Sequence, residues 1–472
     1  MIKYDVDNYE CVTKYDVLKG YLEHFRQVSI NNDIPGLISF FFILGQAALP
    51  YMRIPVGKGN LDPRVNFFWI QDTRTGKSVA FQIIQQVMQD AGLECVDFNT
   101  GTDAALVGSF TQDEDNNPIV RQGVLAGRKG MNFDEGSILL KPGNHTENTV
   151  LFLQSALNAA GSGRNIIVKH LADGTITIKS EVSLWITTFP PDGIKEYVLD
   201  KGIFQRVLLY WRDWTLDMKR DITFELIDSI YNDPKFTVPY DDVVGFFKDL
   251  QKRLAKRVQE VVPEIDGNVL VWQDATDDQR EQWVMKAMRK KKIFNIDATF
   301  KPALKAAALE YYELLENMEP QKQSVCASFI AGINNYNNVL AHHMAMIEGV
   351  WTVTGVHVDM AKEILYELYK NLIHWLEDKV KVGASAAESR KLFKAWKEAY
   401  KRCEVYDFED HRGRDWVHKK ILLDAFGSIQ GLSSRSVVNT KFNQVADKFE
   451  TTKSVGKVYV RMKPDALEKV ID

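Results

Sequence analysis

Short apolar runs rich in β-branched and aromatic residues alternate with helical patterns from about residue 65 to about residue 215. VNFFWI and VSLWITTF are two such runs, and SVAFQIIQQVMQDA is one of the helical patterns between them. Strands that alternate with helices join into parallel sheets, because each helix carries the chain back across the sheet before the next strand starts. The alternation therefore predicts an α/β fold in which helices cover a mainly parallel sheet.

Composition excludes wholesale disorder and an overall attraction for nucleic acid. Of the 472 residues, 45% are hydrophobic and 26% are charged, which is typical of folded globular proteins. The formal net charge is -4, so any binding of DNA must come from local basic surfaces. The 4 cysteines form no CxxC pair, so neither a zinc site nor a disulfide framework is predicted.

The most apolar stretch of the chain is PGLISFFFILGQAALP, which lies between Pro35 and Pro50. It is too short to cross a bilayer and predicts a buried helix instead. The first residues, MIKYDVDNYE, show no basic segment followed by an apolar one, so a secretory signal is not predicted. We therefore expect a cytoplasmic protein that has no membrane partner.

The pattern changes along the chain and predicts its organisation. Beyond about residue 216 it becomes almost wholly helical, and the last part runs helix, turn, helix, strand, an order that fits a winged helix. The predicted segments are 1–60, an N-terminal helical lead-in; 61–215, the α/β core; 216–378, a helical lid domain; 379–404, a basic connecting helix; and 405–472, a winged-helix domain.

The segment QDTRTGKSVAFQII follows the VNFFWI run and predicts a strand, a tight loop and a helix. Gly76, Lys77 and Ser78 fill the end of the phosphate-binding pattern G-x-x-x-x-G-K-[ST], whereas Gln71 stands at its first glycine. In that pattern the glycine lets the backbone approach phosphate, the lysine reaches the β and γ phosphates, and the hydroxyl binds Mg²⁺. An ordinary strand-to-helix turn is the alternative. The candidate nucleotide-binding residues are Thr75, Gly76, Lys77 and Ser78.

A pair of acidic residues, Asp134 and Glu135, follows the apolar run that ends in MNF. If its strand neighbours the loop strand, Asp134 is placed to orient Mg²⁺ and Glu135 to polarise an attacking water. An acidic pair in a simple turn is the alternative. The two signals together favour ATP hydrolysis.

Two further features fit a nucleotide site. The run VSLWITTF brings Thr187 and Thr188 to a strand end, where a hydroxyl is able to sense a γ phosphate. GIFQRVLLYW carries a single charged residue, Arg206, in an apolar segment. Its guanidinium either reaches the surface or acts as an arginine finger on a neighbouring subunit, and the sequence leaves both options open.

The ordered set GKS, FDEG, a hairpin, a threonine-ended strand and FQRV resembles the AAA+ ATPases, in the branch of the minichromosome-maintenance helicases and their phage and mobile-element relatives. The resemblance covers about residues 65 to 215 and implies an AAA+ P-loop ATPase core with a helical lid and a C-terminal winged helix. It implies ATP and Mg²⁺ as cofactors, with Ser78 and Asp134 as metal ligands. The catalytic residues that it implies are Lys77, Glu135, Thr188 in place of the family's sensor asparagine, and Arg206 acting in trans.

The function implied by the resemblance is an ATP-dependent DNA helicase, a replicative motor of a phage, virus or mobile element. A finger supplied in trans implies a ring or filament of subunits, and we expect a homo-hexamer that hydrolyses ATP at its interfaces. Two alternatives stay open at this point. One is an AAA+ replication initiator or loader ATPase, and the other is a non-catalytic DNA-binding scaffold with a decayed nucleotide pocket.

Two surfaces are expected to contact DNA. NIIVKHLADGTITIKS resembles the family's pre-sensor hairpin, whose basic residues would meet single-stranded DNA in the pore through its phosphates. In the predicted winged helix, residues 432–443 form the recognition helix for duplex DNA. Winged helices also bind proteins, and that alternative stays open. The candidate DNA-binding residues are Lys169, His170, Arg435, Lys441 and Lys453.

Overall fold

A computed structural model shows two compact units, Met1–Val380 and Lys381–Asp472, and each is described by itself. The residues that the structure describes are 6–57, 59–73, 75–98, 102–112, 118–134, 136–140, 147–171, 174–190, 202–212, 214–229, 236–261, 275–289, 293–318, 320–379, 395–402, 416–430, 435, 438–439, 442, 449–454 and 457–463.

A parallel sheet forms the centre of the first unit, with the order β10-β3-β9-β7-β4, and β8 pairs antiparallel with the first half of β9. The remaining strands form pairs: β1 with β2, β5 with β6, and β11 with β12. The strands are β1 Ile54–Val56, β2 Gly59–Leu61, β3 Phe67–Gln71, β4 Cys95–Phe98, β5 Gly108–Gln112, β6 Pro118–Gln122, β7 Gly127–Phe133, β8 Ile166–Leu171, β9 Gly174–Thr188, β10 Leu208–Arg212, β11 Asn295–Ile296 and β12 Thr352–Val353.

Helices flank this sheet, and the described residues of this unit beyond residue 216 are mainly helical. The predicted α/β class with a mainly parallel sheet is therefore confirmed, and the core is compatible with a P-loop-like α/β arrangement. The helices are α1 Glu10–Lys14, α2 Asp16–Val28, α3 Asp33–Ala48, α4 Lys77–Asp90, α5 Asp103–Leu106, α6 Ser137–Leu140, α7 Glu147–Ala156, α8 Leu216–Ser229, α9 Tyr240–Val261, α10 Asp277–Arg289, α11 Phe300–Glu313, α12 Pro320–Glu348 and α13 Gly355–Lys379.

The predicted roles of the acidic pair assume that the strand before it and the strand before the loop are neighbours in the sheet, and they are not. The strand that carries the acidic pair, β7, does not neighbour the loop strand β3, because β9 is inserted between them. Thr188 at the end of β9 pairs with Ile70 of β3, and Ile186 pairs with Phe133 of β7. All three strands are parallel, so their carboxyl ends meet at one edge of the sheet. The end of β9, which carries Thr187 and Thr188, therefore lies between the loop and the acidic pair.

Helix α3 is the buried helix predicted from the apolar run, and its residues from Ile34 to Ala48 are all buried. It packs on the central sheet: the rings of Phe42 and Trp185 are 5.7 Å apart, and the Gln46 side-chain amide donates to Ser183 Oγ over 2.7 Å. Burial of a helix on all sides is typical of the interior of a large domain. Among the residues that the structure describes, no helix combines the length and apolar character needed to cross a membrane.

The second unit contains an antiparallel sheet with the order β13-β15-β14, in which β13 is Val417–His418, β14 is Phe449–Ser454 and β15 is Lys457–Met462. Helix α14, Lys419–Gln430, and a helical segment over 395–402 accompany it. The apolar core of this unit comes from both helices, the sheet and isolated helical positions. Its members include Ala395, Val417, Leu422, Phe426, Phe442, Phe449 and Val460.

We predict that Phe42→Ala lowers the free energy of unfolding of the first unit by about 3–5 kcal/mol, because a large buried ring leaves a cavity between α3 and the sheet. Chemical denaturation measures the change. Leu151→Ala is the matched control, since that side chain is 57% exposed and its removal should change stability by less than about 0.5 kcal/mol. Equal stability of wild type and Phe42→Ala would contradict the packing of α3 on the sheet.

Candidate functional site

The loop between β3 and α4 ends in a glycine that leads directly into the helix. Helix α4 begins at Lys77, and Gly76 directly before it has a φ of +88°. Only glycine adopts that conformation without strain, and a Cβ there would also lie 2.9 Å from Ser29 Oγ. The first backbone N–H groups of a helix have no partner within the helix and favour an anion. The loop thus presents a helix N-terminus at the carboxyl edge of the sheet.

Gln71, which replaces the first glycine of the motif, is the last residue of β3 and is fully buried. Its side-chain oxygen accepts from Trp69 Nε1 over 2.6 Å. Its amide nitrogen donates to Asn32 Oδ1 at 3.0 Å and to the Thr75 carbonyl at 3.3 Å. The residue therefore fixes the loop from the protein interior.

The turn between α2 and α3 also holds the loop. Asn32 donates through its amide to the Thr75 carbonyl over 2.8 Å and to Ser29 Oγ over 2.9 Å. Ser29 Oγ in turn donates to the Gly76 carbonyl over 3.1 Å. Sequence reasoning missed both residues, because only folding brings this distant turn to the loop. The one available signal was a short polar stretch between an amphipathic helical pattern and the apolar run.

Lys77 is nearly buried, and its ammonium is engaged by the loop itself. The Nζ atom donates to the carbonyl of Gln71 and, over 2.6 Å, to that of Asp72. It also lies 4.9 Å from the centre of the Phe189 ring, which is 56% exposed. Burial lowers the pKa of Lys77 to about 8, although the carboxylates of Asp134 and Asp72 act in the opposite direction.

Asp134 follows β7 and is held by the inserted strand. Thr187 Oγ1 donates to Asp134 Oδ1. Two residues further on, the Gly136 N–H donates to the Thr187 carbonyl over 3.1 Å. A Cβ at Gly136 would lie 2.9 Å from that carbonyl oxygen, so the acidic turn needs glycine to approach β9. The predicted catalytic residue Glu135 lies outside the described residues.

One open cavity of about 500 Å³ brings together five residues predicted for the nucleotide site. Thr188 is not among its lining residues; its hydroxyl is buried and has no hydrogen-bond partner within the described part of the chain. The hydroxyl that contacts the acid is that of Thr187. The polar part of the lining is Thr73, Thr75, Gly76, Lys77, Ser78 and Asp134, and the apolar part is Val28, Ile30, Val79, Phe189 and Ile222.

The donor set of this cavity fits Mg²⁺. The described residues include no group of three or more His, Cys, Asp or Glu side chains that would hold a metal ion by themselves. Mg²⁺ does not need one, because it binds through one or two protein oxygens and completes its shell with phosphates and water. Ser78 and Asp134 line the same cavity and supply a hydroxyl and a carboxylate.

Arg206 lies apart from this cavity. It ends the 3₁₀ helix Phe204–Arg206 just before β10, whose first residue pairs with Phe67 at the start of β3. It therefore sits at the amino edge of the sheet, and the five residues of β3 put about 15 Å between the two edges. The half-buried guanidinium donates to the Gly202 carbonyl of its own chain. Arg206 does not complete the cavity of its own subunit.

The two candidate basic residues of the first unit lie on the β8–β9 hairpin. Lys169 is half-buried and its Nζ donates to the Gly108 carbonyl at the start of β5, over 3.2 Å. His170 is exposed, and its Nδ1 lies 3.0 Å from Thr175 Oγ1 across the hairpin. The Lys169 contact joins the β8–β9 hairpin to the β5–β6 hairpin, and the His170 contact lies within the β8–β9 hairpin.

The three candidate residues of the second unit are less fully described. Arg435 is helical and exposed. Lys453 lies in β14 and pairs with Val458 of β15. Lys441 lies outside the described residues.

Comparison with known proteins assigns no family to the chain. No protein-family model matches the sequence, and a search of curated proteins finds no match. The chemistry of the site therefore has to be argued from the geometry of its residues.

We predict that Gln71→Leu lowers the free energy of unfolding by about 1–3 kcal/mol, because Trp69 Nε1 and Asn32 Oδ1 lose a partner inside the protein. Chemical denaturation of both proteins gives the difference. Gln86→Leu makes the same change at an exposed position of α4 and should leave stability within about 0.5 kcal/mol. A similar loss in both variants would argue against the buried network.

Proposed function

We propose that the chain is a Mg²⁺-dependent ATPase of the AAA+ type. The observation that carries the proposal is the single cavity lined by Lys77, Ser78 and Asp134 at the carboxyl edge of a parallel sheet. It joins a helix N-terminus, a lysine, a hydroxyl and a carboxylate, which are the groups that phosphoryl transfer requires for positioning and charge neutralisation. Neither the loop motif nor the acidic pair supports this function as strongly alone.

Each residue has a role in this proposal. The amides after Gly76 bind phosphate, and Lys77 leaves the carbonyls of Gln71 and Asp72 to meet the β and γ phosphates. Ser78 and Asp134 would hold Mg²⁺, which would supply the positive charge that neutralises the phosphates. Thr187 fixes the orientation of Asp134 through its hydrogen bond.

The remaining catalytic assignments rest on the resemblance. Glu135 is proposed to polarise the attacking water, and Thr188 remains the proposed substitute for the family's sensor residue. Thr187 is the better placed of the two hydroxyls, because it already contacts the acidic turn.

The position of Arg206 favours hydrolysis between subunits. An arginine finger must reach a γ phosphate, and Arg206 lies at the opposite edge of the sheet from Lys77 in the same chain. It can serve only the nucleotide of a neighbour, which requires head-to-tail contacts between subunits, and a hexameric ring is the proposed form.

We further propose that this ring acts as a replicative DNA helicase of a phage, virus or mobile element. The joined β5–β6 and β8–β9 hairpins would present Lys169 and His170 to single-stranded DNA, while a C-terminal winged helix with Arg435, Lys441 and Lys453 would bind duplex DNA. Phosphate contacts of this kind are independent of sequence and weaken with salt.

We predict that the wild type hydrolyses ATP with Mg²⁺, faster when single-stranded DNA is present, and that Lys77→Ala lowers the rate by about 100-fold or more through loss of charge stabilisation. Steady-state phosphate release is the measurement. Lys248→Ala, which removes an exposed lysine of α9, is the control and should leave the rate unchanged. Equal turnover by wild type and Lys77→Ala would contradict the proposal and favour a non-catalytic scaffold.

We predict that nucleotide binding weakens above pH 8. Only protonated Lys77 attracts phosphate, and its pKa of about 8 in the free protein means that binding must take up a proton at higher pH. The dissociation constant should rise about tenfold per pH unit above pH 8, until the pKa of the complex is passed. Fluorescent-nucleotide titrations test this. Lys77→Arg keeps its charge over this range, so a pH dependence as steep as that of the wild type would contradict the role of Lys77.

A further inference from the structure

A second polar cavity, of about 340 Å³, lies at the amino edge of the sheet, away from the candidate ATP site. Its lining includes three arginines, Arg64, Arg164 and Arg206, but only one acidic residue, Asp62. The described residues that line this cavity therefore carry more positive than negative charge.

The acidic residue, Asp62, forms a bidentate ion pair with one of these arginines, Arg64. Arg64 Nε donates to Asp62 Oδ1 over 3.0 Å, and Arg64 Nη2 donates to Oδ2 over 2.8 Å. The Ala160 N–H also donates to Asp62 Oδ2, over 2.6 Å. Both side chains are buried, so this pair forms a closed, neutral unit in the cavity wall. Of the described lining residues, no further acidic side chain is left to neutralise Arg164 or Arg206.

Arg164 and Arg206 face the same space, and neither forms an ion pair in the part of the chain that the structure describes. The one side-chain hydrogen bond of Arg206 there goes to the Gly202 carbonyl. Burial lowers the pKa of Arg206, and the charge of Arg164 lowers it further. Two guanidiniums that repel each other at one cavity are stabilised by an anion between them.

The segments that carry the two arginines are held in place. Tyr336 of α12 donates to the Arg206 carbonyl over 2.6 Å and accepts from the Asn66 N–H at 3.3 Å. On the other side, the Asn158 amide donates to the Arg164 carbonyl over 3.0 Å. The backbones at both arginines are thus fixed before any ligand binds, which favours affinity because less order must be gained on binding.

We propose that Arg164 and Arg206 together bind one phosphate group at the amino edge of the sheet. The guanidinium fork matches phosphate oxygens in pairs, and the cavity is large enough for a terminal phosphate of a polyphosphate chain. The phosphate comes either from a nucleotide bound at Lys77 of a neighbouring subunit or from a polyphosphate free in solution. The first source rests on the function proposed above, and the second does not.

The first arm of the test mixes two defective proteins. Lys77→Ala lacks the loop half of the site, and Arg164→Ala lacks the proposed second half. We expect each alone to lose ATPase activity by a factor on the order of 100. If a neighbour supplies the phosphate, an equal mixture should recover about one quarter of wild-type activity, since about one interface in four combines an intact Lys77 with an intact Arg164. Arg402→Ala, at an exposed position of the second unit, is the control expected to keep full activity.

The second arm measures pyrophosphate binding by calorimetry to Lys77→Ala and to Lys77→Ala/Arg164→Ala. If pyrophosphate binds to Lys77→Ala but not to Lys77→Ala/Arg164→Ala, the result supports a site for a free polyphosphate. This holds even if the wild type hydrolyses no ATP. Arg164→Lys keeps the charge and should retain part of the affinity and activity, which separates loss of the site from misfolding. Wild-type activity of Arg164→Ala, together with pyrophosphate binding that is absent or independent of Arg164, would overturn the proposal.

Discussion

The buried hydrogen bonds of Asn32 and Gln71 are the interaction on which the candidate site depends. Both amides bind the Thr75 carbonyl and each other, so they fix the loop that ends β3 and begins α4. A buried amide that loses its partner destabilises the fold. The loop therefore adopts this one conformation, because any other would leave a buried amide unpaired. The position of Gly76, Lys77 and Ser78 follows from it.

The insertion of β9 determines how the loop and the acid cooperate. A strand between β3 and β7 moves Asp134 one strand further from the loop, yet it also supplies Thr187, which binds that acid. The same parallel order separates the two ends of the sheet chemically: the lysine and the acid lie at the carboxyl edge, and Arg206 lies at the amino edge. Under the proposed function, this separation is the reason that one chain cannot complete its own site and needs a neighbour.

Local patterns predicted those parts of the molecule that depend on nearby residues. The buried helix α3 follows from its apolar run, and the tight loop that leads from β3 into α4 follows from the loop motif. Contacts between distant segments were not predictable in this way. The spacing of the motifs predicts neither the position of β9 in the sheet nor that Thr187, rather than Thr188, contacts Asp134. Both depend on how the strands pair. The role of Gln71 was hidden for the same reason, since its partner Asn32 lies in a different helical region.

A structure of the assembled protein with Mg²⁺ and a non-hydrolysable ATP analogue tests the central claim most directly. The account predicts the triphosphate in the cavity of Lys77, Ser78 and Asp134, with the lysine ammonium moved from its carbonyl partners to the phosphates. A neighbouring subunit's Arg206 should approach the terminal phosphate. A nucleotide bound elsewhere, or an occupied cavity in which Lys77 still bonds to the carbonyls of Gln71 and Asp72, would contradict it.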